Sequence, residues 1–415
     1  VSQLHLTLPA AGSSEMGLDY VATTETASIV EYWDTGTGDT RDAVSNARSE
    51  SAFIDNIGYL HNVILDSLVP GASYMYRVGD RTDDSWSKWY SFINGPYSRD
   101  DFVRKGEALS STVAANGVAA VYADLGVYNG LSVSRLQHEA ARGTFDYAIH
   151  IGDIAYDLFS DNSSVGNEYM NTMSAITERI PLMVGEGNHE RDDNFTEYNR
   201  RFRAVQSLAG RASHSNSNHY YSFNVGLIHY VMLSTEVYAY PVEAAAGPSP
   251  FTAEQQLDWL EADLRAASEE SARKEVPWIV LMAHRPWYTV DRSKFRDIDD
   301  LACRYGADLY ITGHVHNYQR WLPARLSSPL VPDDVDKECM SADGHTYTNP
   351  KYMPTIVAGS TGCHSPEPRV ACPVMKAASN LFMGESLVDC SAAYGFGHLQ
   401  AVNSTHLYWE FVQSH

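Results

Sequence analysis

From Val1 to about Phe92, apolar and polar residues alternate in short runs: "GLDYVAT", "SIVEYWD", "HNVILDSL", "SYMYRVGD" and "KWYSFI". A period of two gives a segment one apolar face and one wet face, as in a half-buried strand. Turn-forming clusters such as "DTGTGDT" and "VPGA" separate the runs, and this spacing predicts an all-β sandwich over residues 1–95. The stretch "NGPYSRDD" opens a linker assigned to 96–109. From 110 to 415 apolar strand-length runs alternate with helical periodicity: "NGVAAVYADLG", "SVSRLQHEAARG", "FDYAIHIGD", "EYMNTMSAITERI" and "PLMVGEGNHE". That punctuation predicts an α/β domain with helix-covered sheet. Further on, "HYYSFNVGLIHYVMLST" reads as two strands about a turn and "TAEQQLDWLEADLRAAS" as an amphipathic helix. "PWIVLMAHRP" and "ADLYITGHVHNYQ" read as buried strands that run into polar loops, and residues 327–350 as a long excursion.

Length and composition narrow the class. A chain of 415 residues with 44% hydrophobic and 20% charged residues is folded and exceeds one ordinary core. The longest apolar run, "VPWIVLMAH", is strand-length, so no membrane span is expected. The first residue is Val1, not methionine, consistent with a leader having been removed. The formal net charge of −22, with no basic block, disfavours nucleic-acid binding. An anionic substrate therefore needs a strong local positive charge. Five cysteines, Cys303, Cys339, Cys363, Cys372 and Cys390, form no CxxC pair, which argues against a zinc ribbon. The last four are expected to form two disulfides, leaving Cys303 reduced and buried in a helix. Sequons at Asn162, Asn194 and Asn403 are close to the number expected by chance.

Five apolar runs stop at a polar residue where a loop begins. They lead to Asp124 in "VYADLG", Asp153 and Tyr156 in "HIGDIAY", Asn188 and His189 in "VGEGNHE", His284 in "VLMAHRP", and His314 and His316 in "ITGHVHNY". In α/β folds strand ends converge on one rim. Singly, each residue is explained as a helix cap or a core histidine. Together they make a set of oxygen and nitrogen donors suited to two metal ions. Asp124 and Asp153 are 29 residues apart, one strand–helix–strand unit, which returns the chain to the same rim. His314 and His316, two apart in an extended segment, point in different directions and can serve different ions. Gly152, Gly187 and Gly313 leave room for close approach at the ligands.

"ADLG", "GDIAY", "GNHE", "MAHRP" and "GHVHNY", in that order, resemble the motif blocks of the metallophosphoesterases and specifically of the purple acid phosphatases. The likeness extends from "LVPGASYMYRV", which resembles a fibronectin type III strand with Tyr74 as its corner tyrosine, to "NSTHLYWEFVQ". The resemblance implies a fibronectin III-like sandwich followed by a domain with two β-sheets flanked by helices. It implies an acid phosphatase, secreted, at the cell surface or in a vacuolar or lysosomal compartment, glycosylated, and acting on phosphorylated small molecules or phosphoproteins as a monomer or homodimer. By the same resemblance Asp124, Tyr156 and His316 hold Fe(III), Asp153 bridges, and Asn188, His284 and His314 hold a divalent zinc, iron or manganese ion. His189 sits beside the phosphate or leaving group as the acid candidate. A phenolate from Tyr156 is a hard anionic donor that favours ferric iron and colours such enzymes. The mechanism it implies is attack of a metal-held hydroxide on phosphorus. Neutral Asn188 leaves the centre net positive, and so attractive to phosphate.

Two positions depart from the family pattern. Ala123 replaces the usual glycine before Asp124, and "RPWYTVDRSKFRD" lacks the substrate histidines common past the residue matching His284. Arg285, Arg292, Lys294 and Arg296 are the cations available there instead, and His219, His364 and His398 are further candidates for the pocket. The alternatives are a nucleotide pyrophosphatase or phosphodiesterase on the same metals, a single-metal zinc hydrolase, and an adhesion protein whose phosphoesterase domain is inert.

Overall fold

The structure, a computed structural model, describes residues 1–10, 14–22, 29–38, 40–44, 52–54, 58–80, 84–95, 117–238, 250–325, 332, 334–363, 372–383 and 385–414. The expected linker 96–109 lies outside the described residues.

The alternating N-terminal runs fold into two antiparallel sheets. One has the strand order Ser2–Thr7, Met16–Ala22, Gly58–Leu65, Ala52–Ile54; the other has Thr40–Val44, Ile29–Asp34, Ser73–Asp80, Ser85–Trp86, with Tyr90–Ile93 also on Ser73–Asp80. Inward residues such as Leu6, Leu18, Val30, Val63, Tyr74 and Val78 form their common core. The Tyr74 hydroxyl accepts the Val69 N–H at 2.8 Å, the backward tie expected of a corner tyrosine. Ser2–Thr7 and Thr40–Val44 are strands beyond the runs read from the sequence; Ser2–Thr7 alternates, with Leu4 and Leu6 buried, whereas Thr40–Val44 carries little alternation.

The second half is built on two mixed sheets. The five-stranded sheet runs Leu182–Gly185, Tyr147–Ile151, Ala119–Tyr122, Gly395–Asn403, His406–Gln413, with its first three strands parallel. The seven-stranded sheet runs Tyr221–Val225, Ile228–Leu233, Trp278–Ala283, Leu309–Thr312, Thr355–Ala358, Tyr318–Trp321, Leu387–Ser391. Val121, Ile149 and Val184 of one sheet and Tyr230, Met282 and Ile311 of the other share a core, and the Tyr147 and Tyr230 hydroxyls meet across it at 2.7 Å. Helices cover the outer faces. Val133–Arg142 ends at left-handed Gly143, and Ala253–Ser268 starts with a capping box in which Thr252 accepts from the Gln255 N–H. Among the described residues no helix is long and apolar enough to cross a membrane.

The cysteine expectation needs correction. Cys372 and Cys390 are bonded, tying the Cys372–Phe382 helix to the Leu387–Ser391 strand, but Cys339 and Cys363 are not in disulfides. They belong to different neighbourhoods: Cys339 donates to the Asp336 carbonyl in a turn, whereas Cys363 lies beside His316. Cys303 is only half-buried.

The sandwich docks on the second half through Ser2–Thr7. His5 Nδ1 donates to the Gln3 carbonyl at 3.0 Å and Nε2 to the Arg201 carbonyl at 2.8 Å, with Asp19 Oδ2 at 3.3 Å. Both nitrogens face acceptors, which favours the imidazolium in this buried ring. Burial opposes this, but the Asp19 carboxylate and the two carbonyls raise its pKa above 6.5. A raised folded-state pKa contributes stability that is fully present below the unfolded value and is lost as pH rises through the folded one. The thermal midpoint of the wild type should therefore fall as pH rises above about 6.5, and His5→Gln should flatten that slope. Identical slopes in the two proteins would refute the imidazolium.

Candidate metal centre

Strand ends from both sheets meet at one rim. Ala119–Tyr122, Tyr147–Ile151 and Leu182–Gly185 deliver Asp124, Asp153 and Asn188; Trp278–Ala283 and Leu309–Thr312 deliver His284, His314 and His316. Asp124 and Asp153 are buried at 0% and 1% exposure. Asp124, Asp153, Ala155, Tyr156 and His314 all have left-handed φ, between 54° and 71°. Such a conformation costs a non-glycine residue about 1–3 kcal/mol and persists where surrounding contacts impose it.

The donor atoms fall into two groups that share one carboxylate. Asp153, His284 and His314 form one, and Asp124, Asp153 and His316 the other, the donor atoms of each lying within 4.8 Å of one another. The Tyr156 hydroxyl joins the second, donating to Asp124 Oδ1 at 3.1 Å and lying 2.9 Å from His316 Nε2. Asn188 starts a short helix beside Asp153, and its Oδ1 is buried without a hydrogen-bond donor. His284 Nδ1 donates to the Ile151 carbonyl at 3.0 Å, which turns its Nε2 lone pair inward. That Nε2 is buried and lies 3.2 Å from Asp153 Oδ2. A buried Asn188 Oδ1 without a donor and a histidine nitrogen held 3.2 Å from a buried carboxylate are what a cation would satisfy, so these residues fit metal ions.

The electrostatics agree. Without a metal, the carboxylates draw protons onto the histidines around them. Against burial, Asp153 raises His284 to about 9, Asp153 with Asp157 raises His189 to about 10, and Asp124 with Cys363 raises His316 to about 11. Burial and the neighbouring His284 and Arg285 cations keep His314 neutral. Burial, with Asp124 and Asp153 nearby, keeps the Tyr156 phenol protonated, so only a strong Lewis acid would make it a phenolate.

His189 lies at the edge of the centre. Its Nδ1 faces Asp157 Oδ1 in a short contact, its ring lies tilted against Tyr156 with centroids 4.5 Å apart, and its Nε2 is 3.9 Å from Asp153 Oδ2. The other expected residues are scattered. Arg285 is not a surface-loop cation: it is buried and paired with Glu236, since a charge this close to the ligands requires a counter-charge. Arg292 and Lys294 fall in the first turn of the Arg292–Tyr305 helix, with their side chains outside the described ones, and Arg296 is exposed on it. His364 lies outside the described residues. His219 pairs with buried Glu186 beneath Phe195 and Phe251, and His398 packs on Phe145 toward the helix side of its sheet.

Sequence reading passed over Glu190, Asp157 and Gly359. Glu190 takes the N–H groups of Asp153 (2.9 Å), Ile154 (2.7 Å) and Gly187 (2.7 Å), lashing two motif loops together. Burial and Asp153 raise it to about 8. Its place in "GNHE" was a usable signal. A Cβ on Gly359 would lie 2.7 Å from Asp124 Oδ2, a constraint with no local signature. Ala123 is tolerated because its partner is glycine: a Cβ on Gly313 would lie 2.3 Å from Ala123 Cβ.

Comparison with known proteins bears on this arrangement. Residues 1–94 match the family described as purple acid phosphatase, N-terminal domain; 120–318 match calcineurin-like phosphoesterase; 353–415 match iron/zinc purple acid phosphatase-like protein C. Acid phosphatase type 7 of Danio rerio is 32% identical, covering 99% of this chain and 87% of its own length. The Homo sapiens protein of that name is 30% identical over 85% of this chain and 74% of its own. The solved purple acid phosphatase PPD1 from yellow lupin (Lupinus luteus) seeds shares the fold, with a TM-score of 0.67, 18% identity and coverage of 99% of this chain and 72% of its own.

The closest approach to a glycine among the ligand loops gives a test. A Cβ at Gly187 would stand 2.2 Å from Asp153 Oδ1 and 2.9 Å from His284 Cδ2. Gly187→Ala should lower metal affinity at least about 10-fold by equilibrium dialysis and elemental analysis. Unchanged metal content would contradict the placement of these loops.

Proposed function

The chain belongs to the purple acid phosphatases and is an acid phosphatase; from that premise we propose that it hydrolyses phosphate monoesters in acid on a centre of Fe(III) and one divalent zinc, iron or manganese ion. The observation that carries this reading is the pair of donor groups sharing Asp153. On it, Asp124, Tyr156 and His316 would hold the ferric ion and Asn188, His284 and His314 the divalent one, with Asp153 common to both sets. The ions, when bound, supply Lewis acidity toward phosphate oxygens and a nucleophile available below neutral pH.

The chain's own groups do the rest. Asp153, fixed by Glu190, and His284, fixed by the Ile151 carbonyl, orient the donors. His189 holds a proton on Nε2 toward the centre while Asp157 holds Nδ1, the arrangement of a general acid serving a departing alkoxide. We assign the sandwich to 1–95 and the catalytic unit to 110–415, and expect phosphorylated small molecules or phosphoproteins as substrates in a secreted, cell-surface or lysosome-like compartment. Glycosylation at the exposed Asn162, Asn194 and Asn403 fits that setting.

Two measurements test the reading. Purified protein should contain two metals including iron and show a visible phenolate-to-iron band that Tyr156→Phe abolishes; colourless, iron-free and fully active enzyme sinks the ferric assignment. His189→Ala should slow hydrolysis of alkyl phosphates by about 10²- to 10⁴-fold and that of aryl phosphates with acidic phenols far less. Equal losses on both substrate types would remove His189 from the role of acid.

A further inference from the structure

The segment Leu233–Glu236 lies outside every motif block, yet its three polar residues are among the most buried in the chain: Ser234 0%, Thr235 0% and Glu236 3% exposed. Buried polar groups cost free energy unless each finds a partner. Each of these three finds one at the candidate metal centre. The Ser234 hydroxyl donates to Glu186 Oε1, whose other oxygen is held by His219, and Glu186 is two residues before Asn188. Thr235 Oγ1 accepts the backbone N–H of Arg285, next to His284, at 2.9 Å. Glu236 takes the Arg285 guanidinium by Nε at 2.8 Å and Nη2 at 3.1 Å, and the remaining Nη1 donates to His314 Nε2 at 3.0 Å.

We propose that Ser234, Thr235 and Glu236 are positioning residues that hold Asn188, His284 and His314, the divalent half of the centre, in register, and leave the ferric half to other supports. The segment follows the Ile228–Leu233 strand, and Gln256 anchors it through the Ser234 N–H (2.8 Å) and carbonyl (3.0 Å). It is therefore a rigid strut from which three side chains reach three loops. None of the contacts of these three side chains described above involves Asp124, Tyr156 or His316. Glu236 also offsets the Arg285 charge; removing that carboxylate adds net positive charge beside His314, which opposes a second cation.

This inference rests on the assignment of Asn188, His284 and His314 to one ion. The test uses the full-length metal-loaded protein, the affinity of each metal by competition with a chelator, and the visible iron band. In Glu236→Gln the divalent ion should bind about 10- to 100-fold more weakly, with the iron band retained. Ser234→Ala removes one hydroxyl without stranding a charge and should show the same selective loss to a smaller degree. The retained iron band marks a folded protein, so a general loss of structure is distinguishable. Wild-type affinity for the divalent ion in both variants, or equal loss of both metals, overturns the strut. A wild type holding fewer than two metals would instead overturn the underlying assignment.

Discussion

Two carboxylates buried within one centre are the constraint around which this molecule is arranged. Asp124 and Asp153 are almost fully shielded from water, and an ionised carboxylate in such a place is sustained only by nearby positive charge or hydrogen bonds. The surroundings supply both: backbone N–H groups of His189 and His314 to the oxygens, and histidines whose proton affinity rises to meet the field. The strained backbone at the strand ends and the bare glycines follow from the same demand, since donors must come closer than ordinary side chains allow. A pair of cations resolves the demand more fully than protons do, because they also satisfy His284 Nε2 and Asn188 Oδ1.

The centre lies on a seam. Four of its donors follow strands of the five-stranded sheet and three follow strands of the seven-stranded one, so it exists only when the sheets are packed. Beside the apolar core the sheets share, buried polar contacts also stitch the seam, such as Tyr147 with Tyr230 and Ser234 with Glu186. This makes the site's geometry depend on groups that never touch a reacting atom. The sandwich adds a further layer through the His5 imidazolium, whose charge is favoured in acid, the condition in which an acid phosphatase works.

Much of the architecture was legible because its signals are local. Period-two runs, the glycine stop at Gly143 and the capping box at Thr252 each follow from a few neighbouring residues. The candidate donors were legible for a different reason: a polar residue that ends an apolar run is conspicuous, and five such endings in order form a pattern. Arg285 shows the limit. As a cation near a motif it reads as a substrate contact, and nothing within reach of it in sequence announces Glu236, 49 residues away. The cysteines fail similarly, since composition alone does not say that Cys339 and Cys363 occupy different neighbourhoods while Cys372 and Cys390 meet.

Thus the order of strands and helices, the likeness to a phosphatase family and the identities of the candidate donors are properties of the sequence by itself, each encoded in segments of a few residues. Which donors share Asp153, which histidine nitrogen turns inward, and which buried groups hold them there were decided only by the tertiary structure. Those choices depend on distances and hydrogen-bond directions between segments far apart in the chain, as between His314 and Asp124, 190 residues apart. No periodicity along the chain carries that information, because packing the two sheets is what brings such groups within reach.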